Sequence, residues 1–207
     1  MKITYTLITF LFLLTFSAFA GKTYNGYVLL NDDTKIEGTI QMLSPTLNEV
    51  KVKFAAKNGE TTTYKAKEVK EYGFKVEKWN KTTRQYEMMP ITYSRQKVTR
   101  SPIAMGPTNV LIERQITGSI NMYNHYVERN SEASSPFMHF IYVQLGDDKL
   151  IYLHKKNYKP VLKEMTAQFP ELSTKIGTKQ YGFKYISKIV STYNELETGG
   201  MASISMR

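Results

Sequence analysis

The chain has 207 residues, 28 basic against 18 acidic side chains, a formal net charge of +10, and no cysteine. The missing cysteines exclude thiol catalysis, disulfide staples and a lipid-modified thiol anchor, so packing alone has to supply the stability. Only six bases are arginine (Arg84, Arg95, Arg100, Arg114, Arg129, Arg207); lysine is a solvated point charge without arginine's planar fork, which favours diffuse attraction to anionic surfaces over a shaped phosphate site and leaves nucleic acid a poor candidate partner.

Residues 1–20 carry Lys2, an apolar run from Ile3 to Phe16 and small residues at Ala18 and Ala20. This is the three-part pattern of a secretory signal peptide, with cleavage expected before Gly21. Thr4, Thr6, Thr9 and Thr15 dilute the run below the ~20 apolar residues of a spanning helix. The expectation is an exported chain, periplasmic or extracellular, with no transmembrane segment in its mature part. Removal of Lys2 with the leader lowers the net charge by one. What remains is enough for one sizeable domain or two small ones, at ~100–200 residues per domain.

From Thr23 onward, short β-branched and aromatic runs alternate with turn-forming clusters, the signature of consecutive antiparallel strands. Tyr24–Leu30 and Lys35–Leu43 flank Asn31-Asp32-Asp33-Thr34, and Glu49–Ala56 and Glu60–Ala66 flank Lys57-Asn58-Gly59. In the second hairpin a three-residue loop with Gly59 left-handed pairs Val50, Val52 and Phe54 with Ala66, Tyr64 and Thr62. The opposite face then collects Lys51, Lys53, Lys65 and Lys67, with Lys51 directly across from Lys65, a repulsion of roughly 0.2–1 kcal/mol.

Lys67–Glu71 reads as a short helical or turn connection, and Tyr72–Asn80 with Gln85–Tyr93 as a third hairpin. The pattern fails between Ser94 and Thr108, where Arg95, Lys97, Arg100, Pro102, Gly106 and Pro107 predict a basic loop and the main internal boundary. Strands resume at Asn109–Thr117 and Ser119–Glu128. After a polar loop at Asn130–Pro136, Phe137–Leu145 and Leu150–Lys156 form the last hairpin, whose largely apolar first strand predicts a central position. Tyr158, Val161, Leu162, Met165 and Phe169 fall at helical spacing, as do Tyr181, Tyr185, Ile186, Ile189, Val190, Tyr193 and Leu196, with Pro170 between them. The expected fold is α+β: antiparallel β-sheets forming small barrel or sandwich units, followed by two C-terminal amphipathic helices. The expected organisation is a signal peptide at 1–20, an N-terminal β-unit at 21–94, a basic loop at 95–108, a second β-unit with the helices at 109–198, and a flexible tail at 199–207.

Val110-Leu111-Ile112-Glu113, Ile116-Thr117-Gly118-Ser119-Ile120-Asn121-Met122-Tyr123, Pro160-Val161-Leu162-Lys163-Glu164, Phe169-Pro170-Glu171-Leu172 and Lys188-Ile189-Val190-Ser191-Thr192-Tyr193-Asn194 follow one another in order. Together with the opening Gly26-Tyr27-Val28-Leu29-Leu30 and Lys35-Ile36-Glu37-Gly38-Thr39-Ile40, this pattern resembles the uncharacterised exported β-rich proteins of Bacteroidota. The resemblance implies export, a β-rich body and terminal helices, and brings no activity or functional residues.

Candidate chemistry is sparse. Asp32, Asp33, Asp147 and Asp148 sit in expected turns, where they bond nearby amides. His125, His139 and His154 lie on separate expected strands; His139 and His154 face each other only if the last hairpin turns tightly at Gly146-Asp147, and two ligands fall short of a zinc site. No serine stands in a nucleophile elbow. Glu113 and Glu128, on adjacent expected strands, are the carboxylate pair to inspect for glycoside hydrolysis, and Trp79, Tyr86 and Tyr93 are the aromatics to inspect for carbohydrate stacking. The residues point to no catalytic set, metal or cofactor. The sharpest binding candidate is the face of Lys51, Lys53, Lys65 and Lys67, whose self-repulsion an anionic partner would relieve, as nearby acids such as Glu49 or Glu68 would too. The expected function is therefore non-enzymatic: an envelope protein that binds an anionic polymer, a lipid surface or another envelope protein. The alternative is a carboxylate-dependent hydrolase acting on envelope or glycan substrates.

Overall fold

The computed structural model describes residues 21–80, 83–99, 107–129 and 136–204. The leader at 1–20 and most of the loop at Asn130–Pro136 lie outside them. Among the described residues ten strands form a single antiparallel sheet: β1 (Thr23–Leu30), β2 (Lys35–Gln41), β3 (Lys51–Ala56), β4 (Thr61–Lys65), β5 (Val69–Asn80), β6 (Gln85–Thr99), β7 (Pro107–Ile116), β8 (Ile120–Glu128), β9 (Phe137–Leu145) and β10 (Ile151–Leu153), in the order β10-β9-β8-β7-β6-β5-β1-β2-β3-β4. Helix α1 (Pro45–Val50) interrupts the first strands, and α2 (Tyr158–Met165), α3 (Pro170–Lys175), a 3-10 turn at Phe183–Tyr185 and α4 (Ile186–Ile204) follow the last.

The second hairpin has the expected register, with Lys51 paired to Lys65, Val52 to Tyr64 and Phe54 to Thr62. Gly59 sits at φ 86°, a left-handed conformation that glycine adopts without steric cost. Other elements depart from the sequence reading. Glu49 and Val50 close α1 instead of opening β3, because Ser44 caps the Leu47 amide and Pro45 occupies the first helical position, a start signal for a helix. β5 begins at Val69, so the connection after β4 is shorter than expected.

Ser94–Thr99 continue β6, and Pro107 and Thr108 open β7; only 100–106 of the expected basic loop lie outside the described residues. In β6 the basic Arg95 and Lys97 alternate with buried Ser94 and Val98, the period of a half-buried strand. Arg95 Nη1 donates to Asn31 Oδ1 (2.6 Å) and to the Lys67 carbonyl (3.1 Å). β9 is the second strand from the sheet's end and not central, since its neighbour β10 is only three residues long. Three helices follow the sheet instead of two, because Pro170 starts a helix of its own. α4 continues through Gly199 and Gly200 to Ile204, where a loose tail was expected.

Only Ala66, Lys67 and Glu68 separate β4 from β5, yet β3, β2 and β1 lie between them in the ladder. Laid flat, that gap is roughly 19 Å at about 4.8 Å per strand, whereas the link from Lys65 to Val69 reaches at most about 14 Å. The N-terminal strands therefore curl. Their inner face gathers Val28, Ile40, Val52, Phe54, Tyr72, Phe74, Tyr93 and Leu111 into one core, with Tyr72 and Tyr93 stacked at 4.7 Å. A second core places Ile120, Met122, Val143 and Leu153 against Leu162, Leu172, Ile189 and Tyr193 of the helices. A third gathers Val98, Val110, Ile112, Tyr123 and Tyr142.

Strand β8 is incompletely covered by β7, because their pairing runs only from Ile116↔Met122 to Glu113↔Asn124. Two side chains meet backbone groups that β7 leaves. Asn194 of α4 accepts from Ile120 N–H and donates to Ile120 C=O, both at 2.9 Å; a Cβ on Gly118 would sit 2.3 Å from its amide, so only glycine admits this approach. At the other end α1 packs on β7 and β8. There Glu49 Oε1 accepts the Tyr126 N–H (2.8 Å) and Oε2 lies 2.6 Å from His125 Nδ1.

The two side chains of that buried pair are only 2% and 3% exposed, so losing one partner strands polar groups where water cannot replace it. Glu49→Ala is expected to destabilise the fold by about 2–5 kcal/mol, and Asn194→Ala by about 1–3 kcal/mol, as denaturant unfolding measures. A loss below about 1 kcal/mol for Glu49→Ala would show that the carboxylate is dispensable to the β8 edge.

Candidate functional site

The outer face of the N-terminal strands, opposite Val28, Ile40 and Phe54, carries the alternate residues of each strand. It places Lys35, Lys51, Lys53, Lys65 and Lys75 together on one sheet surface. A groove of about 570 Å³ crosses this face, with Asn25, Tyr27, Glu37, Thr39, Lys75 and Thr92 in its lining and Lys35 and Lys57 at its side. A smaller recess of about 180 Å³ shares Thr39 and Ala55 with it and reaches Lys53. The groove exists because small residues occupy the strands between the longer side chains. At Gly73, for example, a Cβ would meet the Tyr27 ring at 2.8 Å, so the ring lies flat across the neighbouring strand.

The expected lysine face is placed unevenly. Lys51, Lys53 and Lys65 share the outer face, whereas Lys67 stands in the turn after β4 and outside the ladder. None of the four ion pairs among the described residues involves these lysines. Glu49 is turned towards His125, and Glu68 accepts the Lys65 backbone N–H at 2.8 Å. Of the groove's own charges, Glu37 is paired with Lys57 at 2.8 Å, which holds its carboxyl below the usual range through that hydrogen bond. Lys35 lies over the Tyr27 ring, 4.3 Å from its centre, a cation–π contact.

From Tyr27 a polar line continues across the sheet. The Tyr27 hydroxyl donates to Glu71, whose other oxygen holds Arg114 Nη2 at 3.0 Å. The Arg114 guanidinium sits 5.9 Å from the Tyr123 ring, and the Tyr123 hydroxyl donates to Gln144 Oε1 (3.0 Å) and accepts from Gln96 (3.4 Å). Burial, reinforced by the Glu71 carboxylate, pushes the Tyr27 phenol up to about 12. Burial and Glu113 do the same at Tyr126, also to about 12. These phenols are donors fixed in their protonated form at neutral pH, not candidate bases.

A second concavity, about 330 Å³, lies where α1 meets β8, with Thr46, Glu49, His125 and Glu128 in its wall. Its carboxylates are already engaged: Glu128 accepts the Thr46 hydroxyl at 2.6 Å, and both Glu49 oxygens meet groups on β8. The Glu49 contact assigns the proton to His125 Nδ1 and leaves a buried Nε2 without a hydrogen-bond partner. No local pattern linked Glu49 to His125, which lie 76 residues apart.

The other sequence candidates do not converge. Glu113 pairs with Asn124 and accepts the Tyr126 hydroxyl (3.3 Å), whereas Glu128 lies farther along β8, roughly 13 Å from Asn124 at the strand rise. Their carboxylates are engaged by different groups, Glu113 by the Tyr126 hydroxyl and Glu128 by the Thr46 hydroxyl. His139 contacts Asn124 through Nε2 and stacks on Tyr126, and burial pulls its pKa down. His154 follows β10 and accepts the Lys156 N–H; the β9–β10 register of Ile141 with Leu153 keeps it from standing opposite His139. Asp32 makes its turn bond to Thr34 N–H (3.0 Å), and Asp33 pairs with Lys70 (2.6 Å). Tyr93 is buried in the core, while Trp79 and Tyr86 are exposed as a pair. Among the described residues no cluster of three or more His, Asp or Glu could hold a metal, and no helix is long and apolar enough to cross a membrane.

No known family, curated protein or solved structure matches the chain. Geometry alone therefore ranks the sites.

Tyr27 and Tyr126 also set an alkaline limit. Each folded-state pKa lies above the unfolded value near 10, so their contribution is fully present below pH 10 and lost as the pH rises towards about 12. Thermal unfolding is expected to show a falling midpoint through that window, and Tyr27→Phe to make the fall shallower. An unchanged slope in that variant would remove Tyr27 from the account.

Proposed function

We propose that this chain is an exported cell-envelope protein that binds an anionic polymer non-enzymatically, on the outer face of its N-terminal strands. The observation that carries the reading is the cluster of Lys35, Lys51, Lys53, Lys65 and Lys75 on one uncovered sheet face, beside a groove and a recess that run together. Lys51 faces Lys65 with no acid between them among the described residues, an arrangement that costs stability unless a negative charge arrives. Spread over several strands, such point charges suit a repeating anion better than a single phosphate. The curled strands are read as a small barrel-like unit that presents this face, and the leader at 1–20 together with the resemblance to exported Bacteroidota proteins supplies the location.

One observation favours the competing hydrolase reading: the concavity with Glu49, His125 and Glu128 in its wall. Against it, the Glu49 carboxylate is held by a backbone amide and an imidazole, which fits a cap better than a nucleophile or proton donor.

The two readings separate in a binding assay. Dextran sulfate, used as a polyanion probe at low ionic strength, is expected to bind, and added salt to release it. Lys35→Gln, Lys53→Gln and Lys75→Gln combined should weaken binding roughly tenfold to a hundredfold, at about 1 kcal/mol or less per lysine. No binding at low salt, or binding indifferent to the triple variant, would remove the lysine face as the site.

A further inference from the structure

Beyond the sheet body, β5 and β6 form an arm. β5 pairs with β1 only up to Phe74, and β6 with β7 only from Thr92 onward, so Lys75↔Pro90 through Asn80↔Gln85 pair with each other alone. This ribbon is roughly 17 Å long at about 3.4 Å per residue. The described residues next to its turn are tied by polar contacts: Arg84 N–H donates to Asn80 C=O (2.8 Å), and Glu87 accepts from Asn80 (2.8 Å) and Thr83 (2.6 Å). Trp79 and Tyr86 face each other across the strands at 5.1 Å.

The arm is apolar where a soluble ribbon should be polar. Trp79 is 51% exposed, Tyr86 65%, Met88 60% and Met89 46%. By strand alternation Trp79, Tyr86 and Met88 project from one face and Met89 from the other. A docking site for a folded protein is one-sided; apolar groups on both faces of a thin ribbon suit a medium that surrounds it. The residue types agree, since tryptophan and tyrosine settle at the boundary between hydrocarbon and headgroups and methionine adapts to irregular surroundings. Charge selects the kind of boundary: Lys75, Lys78 and Arg84 are exposed on the arm against one exposed acid, Glu77, Glu87 is occupied by Asn80 and Thr83, and the chain as a whole is basic.

We propose that the β5–β6 hairpin is a membrane-surface anchor that inserts Trp79, Tyr86, Met88 and Met89 into the interface of an anionic lipid leaflet. The inference stands on the hairpin and is independent of the polymer reading above.

Trp79 is the chain's single tryptophan, so its fluorescence reports on the arm without labelling. Vesicles of phosphatidylcholine with phosphatidylglycerol are expected to shift the emission to shorter wavelength, and brominated acyl chains to quench it; pure phosphatidylcholine vesicles should do neither to the same extent. Met88→Ala with Met89→Ala, both exposed and therefore harmless to packing, should weaken partitioning about tenfold while keeping the reporter. Lys35→Gln with Lys53→Gln, which leaves every charge of the arm in place, should retain quenching, which separates this anchor from polymer binding. Three results overturn the proposal: no shift with anionic vesicles at low salt, an equal shift with dextran sulfate alone, or a shift without vesicles that grows with protein concentration and marks a second copy on the hairpin.

Discussion

Strand β8 has backbone groups that its neighbour does not reach, and much of the architecture follows from meeting them. An unpaired amide inside a protein costs about as much as a lost hydrogen bond, so the early separation of β7 from β8 requires substitutes. The chain supplies them from both directions: Glu49 from a helix near the N-terminus and Asn194 from the last helix. These two contacts bind the helical layer and the short N-terminal helix to the same strand. They also explain why a carboxylate is buried here at all. Its two oxygens take an amide and an imidazole, so the charge is hydrogen-bonded on both sides, the condition under which a buried ion is tolerated.

With the inner faces occupied by packed side chains and the carboxylates of the α1–β8 concavity already engaged, the two surfaces proposed for binding are the outer face of the curled strands and the β5–β6 ribbon. The two surfaces differ in kind. The first is polar, lysine-rich and grooved, and its groove depends on Gly73 lying beneath the Tyr27 ring. The second is narrow and apolar. The Tyr27–Glu71–Arg114 line runs from the groove towards β8 and β9, so the basic surface is backed by a hydrogen-bonded network and not by a loose loop.

Much of the sheet was legible in the residues. The second hairpin's register followed from period-two alternation and the position of Gly59, because a one-residue slip would have turned Val52 and Phe54 to solvent. α1 was missed because six residues are too few to show a helical period, and its last two, Glu49 and Val50, were drawn into the strand that follows; Ser44-Pro45 was the local signal. β6 was cut short at Tyr93 because Arg95, Lys97 and Arg100, followed by Pro102, Gly106 and Pro107, read as a loop, although Arg95 and Lys97 simply take its solvent-side positions while Ser94 and Val98 are buried. The lysine cluster was partly visible, as Lys51, Lys53 and Lys65 follow from one hairpin. Lys35 and Lys75 joined it only through the pairing of β1 with β2 and β5. The meeting of Glu49 with His125 had no local pattern to announce it.

A ten-stranded open sheet has two borders at which further chains can add. At one, β10 offers three residues, and the chain leaves directly into a turn and α2. At the other, β4 presents Thr61, Thr63 and Lys65 beside Lys51 and Lys53, so an incoming copy would bring its own ammonium groups against these. Short length guards the first border and like charge the second. The repulsion that leaves Lys51 opposite Lys65 therefore has a second consequence: it discourages edge-on polymerisation and fibril growth in a chain that has no disulfide to hold it folded.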